Sequence, residues 1–282
     1  MNTNRRPKIG LALGGGGARG LAHIGVLKVF DKEGIPIDIL AGSSMGGFVA
    51  AAYAAGLSTL ELDAEAVRMT HLNQMMRLVD LSGPRRGLIE GTRIREYLGG
   101  LLGKETTFEN LPIPLALPAV DLPTGRLIVQ RKGLLVDAVL ATMAVPGLFT
   151  PVCKDGYELV DGGILNNVPV DVVSSMGADI TIAVDVSPAV VQDPSEQTQA
   201  GDDDWPGWFP YFARDFYLAE LLMVSALTEI HLREARPDIL IRPTFPAGIS
   251  IFWGFTRAAE AIQAGELAAL QVLPDIREML DN

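Results

Sequence analysis

The chain has 282 residues, 48% of them hydrophobic, which is enough to bury a sizeable core without help from disulfide bonds. Its formal net charge of −11, from 23 basic and 34 acidic residues, disfavours nucleic acid as a partner because an acidic chain repels phosphates. Cys153 is the only cysteine, so an intramolecular disulfide is excluded and the composition is compatible with a reducing cytoplasm.

The predicted elements alternate between strand and helix from the N-terminus onward. A short apolar strand over residues 8–13 precedes a glycine-rich loop, and helical spacing follows over residues 21–33. A second strand over residues 36–41 leads into the motif Gly42-Ser43-Ser44-Met45-Gly46, which opens an alanine-rich helix over residues 45–55. This order is typical of a parallel sheet whose strands are joined by crossover helices.

The rest of the chain continues the alternation, apart from residues 192–210, where prolines, aspartates and two tryptophans predict a loop or lid. The candidate site elements span residues 14–163, which favours one α/β domain over residues 1–282, with a three-layer α/β/α arrangement and a mostly parallel central sheet. The region 211–282 is predicted to hold C-terminal helices and a last strand. Helices are predicted over 58–81, 92–102 with Thr92 as N-cap, 134–144, 168–175, 211–234 and 256–273, and strands over 115–120, 126–130, 158–160, 180–186 and 238–242.

Ser44 has the sequence context of a nucleophile elbow, in which a strand turns sharply into a helix and holds a serine at the apex. Gly42 and Gly46 lie two residues before and after it. Such a tight turn leaves no room for Cβ atoms at these positions. The motif therefore predicts acyl transfer through a covalent serine ester.

The glycine-rich loop Gly14-Gly15-Gly16-Gly17-Ala18-Arg19-Gly20 supplies the second candidate element. Backbone N–H groups at the start of the helix that follows could stabilise a developing oxyanion. The pattern Gly15-x-Gly17-x-x-Gly20 also fits a dinucleotide fingerprint. However, the second strand enters an elbow instead of ending at an acidic residue, and Asp38 lies within that predicted strand. A nucleotide-binding oxidoreductase is therefore the weaker interpretation.

A serine hydroxyl needs a base within hydrogen-bond reach. His23, His71 and His231 all lie in predicted helices, and none follows a late strand as the histidine of an ordinary α/β-hydrolase triad does. Asp161 ends a predicted strand and is followed by Gly162 and Gly163. We expect its carboxylate at the C-terminal edge of the sheet, where partial burial would raise its pKa and make it a competent base.

Three motifs occur in a fixed order: Gly15-Gly16-Gly17-Ala18-Arg19-Gly20, Gly42-Ser43-Ser44-Met45-Gly46 and Asp161-Gly162-Gly163. Asn166-Asn167-Val168-Pro169 follows the third. Together they resemble the patatin-like phospholipase family, in particular its bacterial members, which are similar to the esterase domain of neuropathy target esterase. The resemblance covers about residues 7–187.

The resemblance implies a patatin-like fold and a Ser–Asp dyad that hydrolyses acyl esters of lipids, such as phospholipids, lysophospholipids or simpler esters. Ser44 would be the nucleophile and Asp161 the base. Amides around Gly15, Gly16 and Gly17 would form the oxyanion hole, and Arg19 matches the basic position of the family's glycine loop. Gly42, Gly46, Gly162 and Gly163 would support the turns.

A non-catalytic lipid-binding or regulatory module on the same fold remains the alternative, since fold alone does not establish activity. No metal or cofactor is predicted, because Asp202, Asp203 and Asp204 lack an accompanying ligand cluster. No segment reads as a membrane span, and glycines and Arg19 interrupt the apolar stretch after the basic N-terminus, which argues against a secretory signal. We expect a cytoplasmic protein that acts on a lipid or ester and contacts membranes only transiently, through local apolar surface. The oligomeric state stays open.

Overall fold

The structure is a computed structural model that describes residues 5–70, 80, 87–188, 211–249 and 254–281. The proposed lid over 192–210 and most of the predicted helix beyond residue 70 lie outside the described residues. The strands are β1 (Ile9–Leu13), β2 (Ile39–Gly42), β3 (Gly87–Ile89), β4 (Leu115–Asp121), β5 (Arg126–Gln130), β6 (Gly147–Phe149), β7 (Val152–Lys154), β8 (Tyr157–Asp161), β9 (Ile180–Val184) and β10 (Ile239–Ile241). The α-helices are α1 (Ala22–Glu33), α2 (Ser44–Ala54), α3 (Thr59–Arg68), α4 (Thr92–Leu102), α5 (Leu135–Thr142), α6 (Gly163–Asn166), α7 (Val170–Ser175), α8 (Tyr211–Ala235) and α9 (Ala258–Asp281). Short 3₁₀ helices cover Gly17–Leu21, Phe108–Asn110 and Gly254–Arg257.

The central sheet is mixed. Its strand order is β10-β9-β1-β2-β4-β8-β7, and β5 also pairs with β4. The five strands from β10 to β4 run parallel, as the alternation of strands and helices predicts. On the other side, β5 and β8 pair antiparallel with β4, and β7 pairs antiparallel with β8. The strands β3 and β6 form a separate two-stranded parallel sheet.

Helices cover both faces of the sheet. Because successive residues of a strand point to opposite faces, Ile9, Leu11 and Leu13 of β1 pack on a cluster built with α1, α2, α5 and α9. Ala12 of the same strand packs on a second cluster that includes residues of α7 and α8. All five residues of β1 are buried, as expected for a parallel strand covered on both sides. The three-layer α/β/α prediction is therefore confirmed.

Three predicted helix ends are wrong. The helix predicted over 58–81 ends at Arg68, with Met69 as its C-cap. Thr92 is the first residue of α4 rather than its N-cap, which is Gly91; the carboxylate of Asp80 accepts the N–H groups of Gly91 and Arg93 instead. The last helix does not end near residue 273 but continues through Pro274 to residue 281. Burial of Ile276 on the core side of this helix offsets the missing backbone hydrogen bond. Within the described ranges, no helix is both long and apolar enough to cross a membrane.

Candidate active site

Ser44 lies at the apex of the turn between β2 and α2. Its φ is +52°, a left-handed conformation that is unusual for a residue with a side chain and marks backbone strain at a functional turn. A Cβ on Gly42 would lie 2.5 Å from the carbonyl oxygen of Gly46, and a Cβ on Gly46 would lie 2.5 Å from that of Gly14. Both glycines are therefore required by close approach of backbone, and neither lines the cavity described below.

The glycine-rich loop lies beside this turn. The N–H of Gly14 donates to the carbonyl of Val184 (2.9 Å), and the N–H of Gly15 donates to the carbonyl of Asn167 (3.2 Å). In the part of the chain that the structure describes, the N–H groups of Gly16 and Gly17 have no acceptor. Of the three amides predicted for an oxyanion hole, the Gly15 amide is thus occupied within the fold, and those of Gly16 and Gly17 remain available at the cavity.

Gly15 contributes through its missing side chain. A Cβ at this position would lie 2.9 Å from the Cβ of Ser44 and 2.6 Å from Oδ1 of Asn167. The amide of Asn167 in turn donates to the carbonyl of Gly15 (3.3 Å) and to Oγ of Ser187 (2.9 Å). Asn167 therefore holds the loop against the turn. Its sequence signal is its position six residues after the aspartate of the Asp-Gly-Gly motif.

Asp161 reaches the site along an antiparallel strand. The register pairs Ala119 with Asp161, and β4 extends beyond β2, with which only its first two residues pair. The returning strand β8 therefore delivers its last residue to the level at which β2 ends. The prediction placed Asp161 at the C-terminal edge of a parallel sheet. The strand that carries it, β8, instead runs antiparallel to β4. Because β4 extends past β2, the last residue of β8 still lies near the carboxyl end of β2.

Asp161 is buried, with 5% of its surface exposed. The N–H of Gly163 donates to Oδ1 at 2.7 Å. Ser44 lines the same cavity as Asp161, and its hydroxyl is near enough to lower the pKa of the carboxyl. Burial raises the pKa of Asp161 to about 7, the Ser44 hydroxyl and the Gly163 N–H oppose that increase, and the charge of Glu220 adds to it. A carboxyl with this pKa can exchange a proton near neutral pH.

The cavity around these groups has a volume of about 230 Å³. Phe149 and neighbouring residues of the segment after α5 form an apolar wall, and one face of α8 forms another. Phe255 and Ile164 add further apolar surface. Predicted residues that line this cavity are Gly15, Gly16, Gly17, Ser44, Asp161 and Gly163.

Arg19 and Gly162 do not line the cavity. The Arg19 guanidinium donates from Nε to the carbonyl of Ile249 (3.1 Å) and lies 5.1 Å from the ring centroid of Phe245, and burial lowers its pKa. Its contacts therefore tie the glycine loop to the segment before α9. Gly162 is packed against Pro118, whose Cβ would lie 3.0 Å from an added Cβ.

No histidine of the described residues lines the cavity. His23 is fully buried, and its Nε2 donates to the carbonyl of Gly14 at 2.7 Å. Burial lowers its pKa to about 4, so it is neutral at physiological pH and supports the glycine loop. His231 lies on α8 outside the cavity, and His71 lies outside the described residues.

The dinucleotide interpretation is not supported by the position of Asp38. This residue precedes β2, at the end opposite the glycine loop, where its carboxylate accepts hydrogen bonds from Arg6 and from the N–H of Ile9. A carboxylate that recognises ribose must lie at the carboxyl end of the second strand. Here that end is occupied by the serine turn.

Fold and site together define an α/β protein in which a strained serine and a buried carboxyl line one cavity. The sequence profile described as "Patatin-like phospholipase" matches residues 11–174, and the chain belongs to this family.

Several proteins of similar sequence match the chain over a longer stretch than the family profile does. The chain is 35% identical over 231 residues to "Patatin-like phospholipase domain-containing protein 7" of Rattus norvegicus, covering 80% of this chain and 17% of the relative. It is 34% identical to "Neuropathy target esterase sws" of Drosophila melanogaster, covering 80% of this chain and 16% of the relative. An uncharacterised NTE family protein of Mycobacterium tuberculosis is 39% identical over 183 residues, covering 64% of this chain and 49% of the relative. The chain thus spans about a sixth of the two animal proteins and half of the mycobacterial one.

Among solved structures, VipD from Legionella pneumophila has the same fold, with a TM-score of 0.59 at 15% identity. The match covers 96% of this chain and 67% of VipD. It confirms the patatin-like fold.

Proposed function

We propose that this protein is a serine acyl hydrolase that cleaves carboxylic esters of lipids, with Ser44 as nucleophile and Asp161 as base. The observation that carries the proposal is that Ser44, at a strained turn, and Asp161, a buried carboxyl whose pKa is raised to about 7, line the same cavity. Membership of the patatin-like phospholipase family supports a lipid ester as substrate. The apolar cavity beside Ser44 suits an acyl chain.

In the first half-reaction, Oγ of Ser44 attacks the ester carbonyl while its proton passes to Asp161. The oxyanion of the tetrahedral intermediate accepts hydrogen bonds from the N–H groups of Gly16 and Gly17, and Gly15 allows the loop to approach Ser44 closely. Losing one such donor typically costs about 10²–10³ in rate. Asp161 then gives the proton to the departing alcohol, which leaves an acyl-enzyme.

In the second half-reaction, water attacks the acyl-enzyme and Asp161 accepts a proton from it. The second tetrahedral intermediate collapses, Ser44 recovers its proton from Asp161, and a carboxylic acid is released. Burial makes this mechanism feasible, because an ordinary aspartate has a pKa near 3.9 and is a poor base for an alcohol.

The test is intact-mass analysis after incubation with a fluorophosphonate, which phosphonylates an activated serine with loss of fluoride. We expect one adduct on the parent protein and none on Ser44→Ala. The matched control is Ser174→Ala, an exposed serine on α7, which should label like the parent. Hydrolysis of a lysophospholipid should be lost in parallel with labelling. A folded Ser44→Ala protein that still hydrolyses the ester would refute the assignment, and absence of an adduct on the folded parent would favour the lipid-binding alternative.

A further inference from the structure

The face of α8 that lines the cavity contains polar groups. Tyr217, Glu220, Leu221, Val224 and Ser225 line the cavity, and their spacing places them along one face of the helix. The Ser225 hydroxyl is buried and has no hydrogen-bond partner among the described residues. This wall of an otherwise apolar cavity therefore holds both a carboxyl and an unpaired hydroxyl.

The charges that line the cavity are all of one sign. Among the described lining residues, Asp161 and Glu220 are acidic, and no lysine or arginine is present. Glu220 is half-buried and forms no ion pair with a described residue. Burial raises its pKa, and its charge raises the pKa of both Asp161 and Tyr217. Its carboxylate is therefore close enough to act on a charge placed beside Asp161.

We propose that Glu220 gives the cavity its charge selectivity, so that the enzyme accepts esters whose acyl part is uncharged and rejects those whose acyl part carries a second carboxylate. The inference rests on the proposed ester hydrolysis at Ser44 and adds a substrate class to it. An anionic acyl group would lose its hydration on entering the cavity and would meet two carboxylates, with no cation among the described lining residues to offset them. A phosphate on the alcohol part of a substrate would have to lie outside the cavity.

The same charge acts on the product. Hydrolysis converts an uncharged ester into a carboxylate, which then lies in the cavity with Asp161 and Glu220. Like charges in a partly dehydrated site repel more strongly than in water. Glu220 therefore weakens binding of the released acid relative to a neutral molecule of the same shape, which limits product inhibition.

The selectivity is tested with two chromogenic esters of the same alcohol and equal acyl length, one ending in a methyl group and one in a carboxylate, at about pH 8.5, where carboxyls are ionised. The measured quantity is the ratio of kcat/KM for the neutral ester to that for the anionic ester. We expect Glu220→Gln to lower this ratio about tenfold, because one like charge is removed at short range. Glu220→Asp, which keeps the charge, should stay closer to the parent. The matched control is Glu234→Gln, an exposed glutamate on α8 outside the cavity, which should leave the ratio unchanged.

A second measurement needs no variant at Glu220. In the parent protein, octanamide should inhibit hydrolysis at a lower concentration than octanoate, since the two differ mainly in charge. Equal inhibition by the two compounds, or a ratio in folded Glu220→Gln within about twofold of the parent, would overturn the charge selectivity. Neither result would affect the assignment of Ser44, which is tested separately by fluorophosphonate labelling and by the turnover of Ser44→Ala.

Discussion

Replacement of Asp161 by asparagine should abolish turnover and, at neutral and alkaline pH, stabilise the protein. The pKa of Asp161 is about 7 in the folded protein because the carboxyl is buried, against an ordinary value of 3.8. The folded state therefore binds a proton more tightly than the unfolded state. Between about pH 4 and pH 7 the native protein holds this proton and the unfolded chain releases it, so the contribution of Asp161 to stability falls as the pH rises through that window.

The size of the effect follows from the two pKa values. One pKa unit corresponds to about 1.4 kcal/mol, so ionised Asp161 costs the folded state about 4 kcal/mol above pH 7. The asparagine side chain has nearly the same shape as that of aspartate and is never ionised. It also keeps an oxygen that can accept a hydrogen bond from the N–H of Gly163. Asp161→Asn should thus match the parent near pH 4 and exceed it by up to about 4 kcal/mol at pH 8.

Urea unfolding followed by circular dichroism at about pH 4.5 and pH 8 measures this difference. Asp275→Asn, at an exposed position on α9, controls for the general effect of removing a carboxylate. A stability difference between Asp161→Asn and the parent that is equal at both pH values would refute the reasoning, as would a lower stability of the variant at pH 8. Activity of the variant close to that of the parent would refute the role of Asp161 as base.

Two further predictions concern the glycine contacts and the buried histidine. Gly46→Ala should destabilise the protein by about 3 kcal/mol or more, because the alanine Cβ would overlap the backbone oxygens of Leu13 and Gly14. The control Gly100→Ala lies at an exposed helical position with free space. It should stabilise the protein by about 0.5–1 kcal/mol. Equal melting temperatures for the two variants would contradict this. His23→Gln keeps an N–H donor for the carbonyl of Gly14 and should retain kcat/KM within about tenfold of the parent at pH 8, whereas loss of more than about 10³ would indicate that the imidazole takes part in proton transfer.

The elbow and the glycine loop could be predicted from sequence because their constraints are local. The turn at Ser44 needs small residues at fixed offsets, so Gly42 and Gly46 mark it directly. The positive φ of Ser44 is a consequence of that turn. By contrast, the sequence does not show that the amide of Gly15 is bonded to Asn167, since that contact joins residues far apart in the chain.

Long-range contacts also explain the predictions that were wrong or missing. The sequence signals a strand before Asp161 but not its direction, because an antiparallel return along β4 and a parallel crossover have the same apolar pattern. The helical spacing of residues 211–234 predicts a helix but not which of its faces lines a cavity, so Glu220 was missed. Pro274 signals a helix end, and the helix continues because Ile276 is buried against the core.

The sequence by itself therefore determined the order of strands and helices, the strained turn that presents Ser44, and the glycines that let backbone segments approach it. These features depend on steric limits between neighbouring residues. Tertiary structure alone decided that Asp161 and Ser44 line one cavity, that burial raises the pKa of the Asp161 carboxyl to about 7, and that α8 brings a second carboxyl into that cavity. Distance and burial arise from packing between distant segments, and no local pattern of residues encodes them.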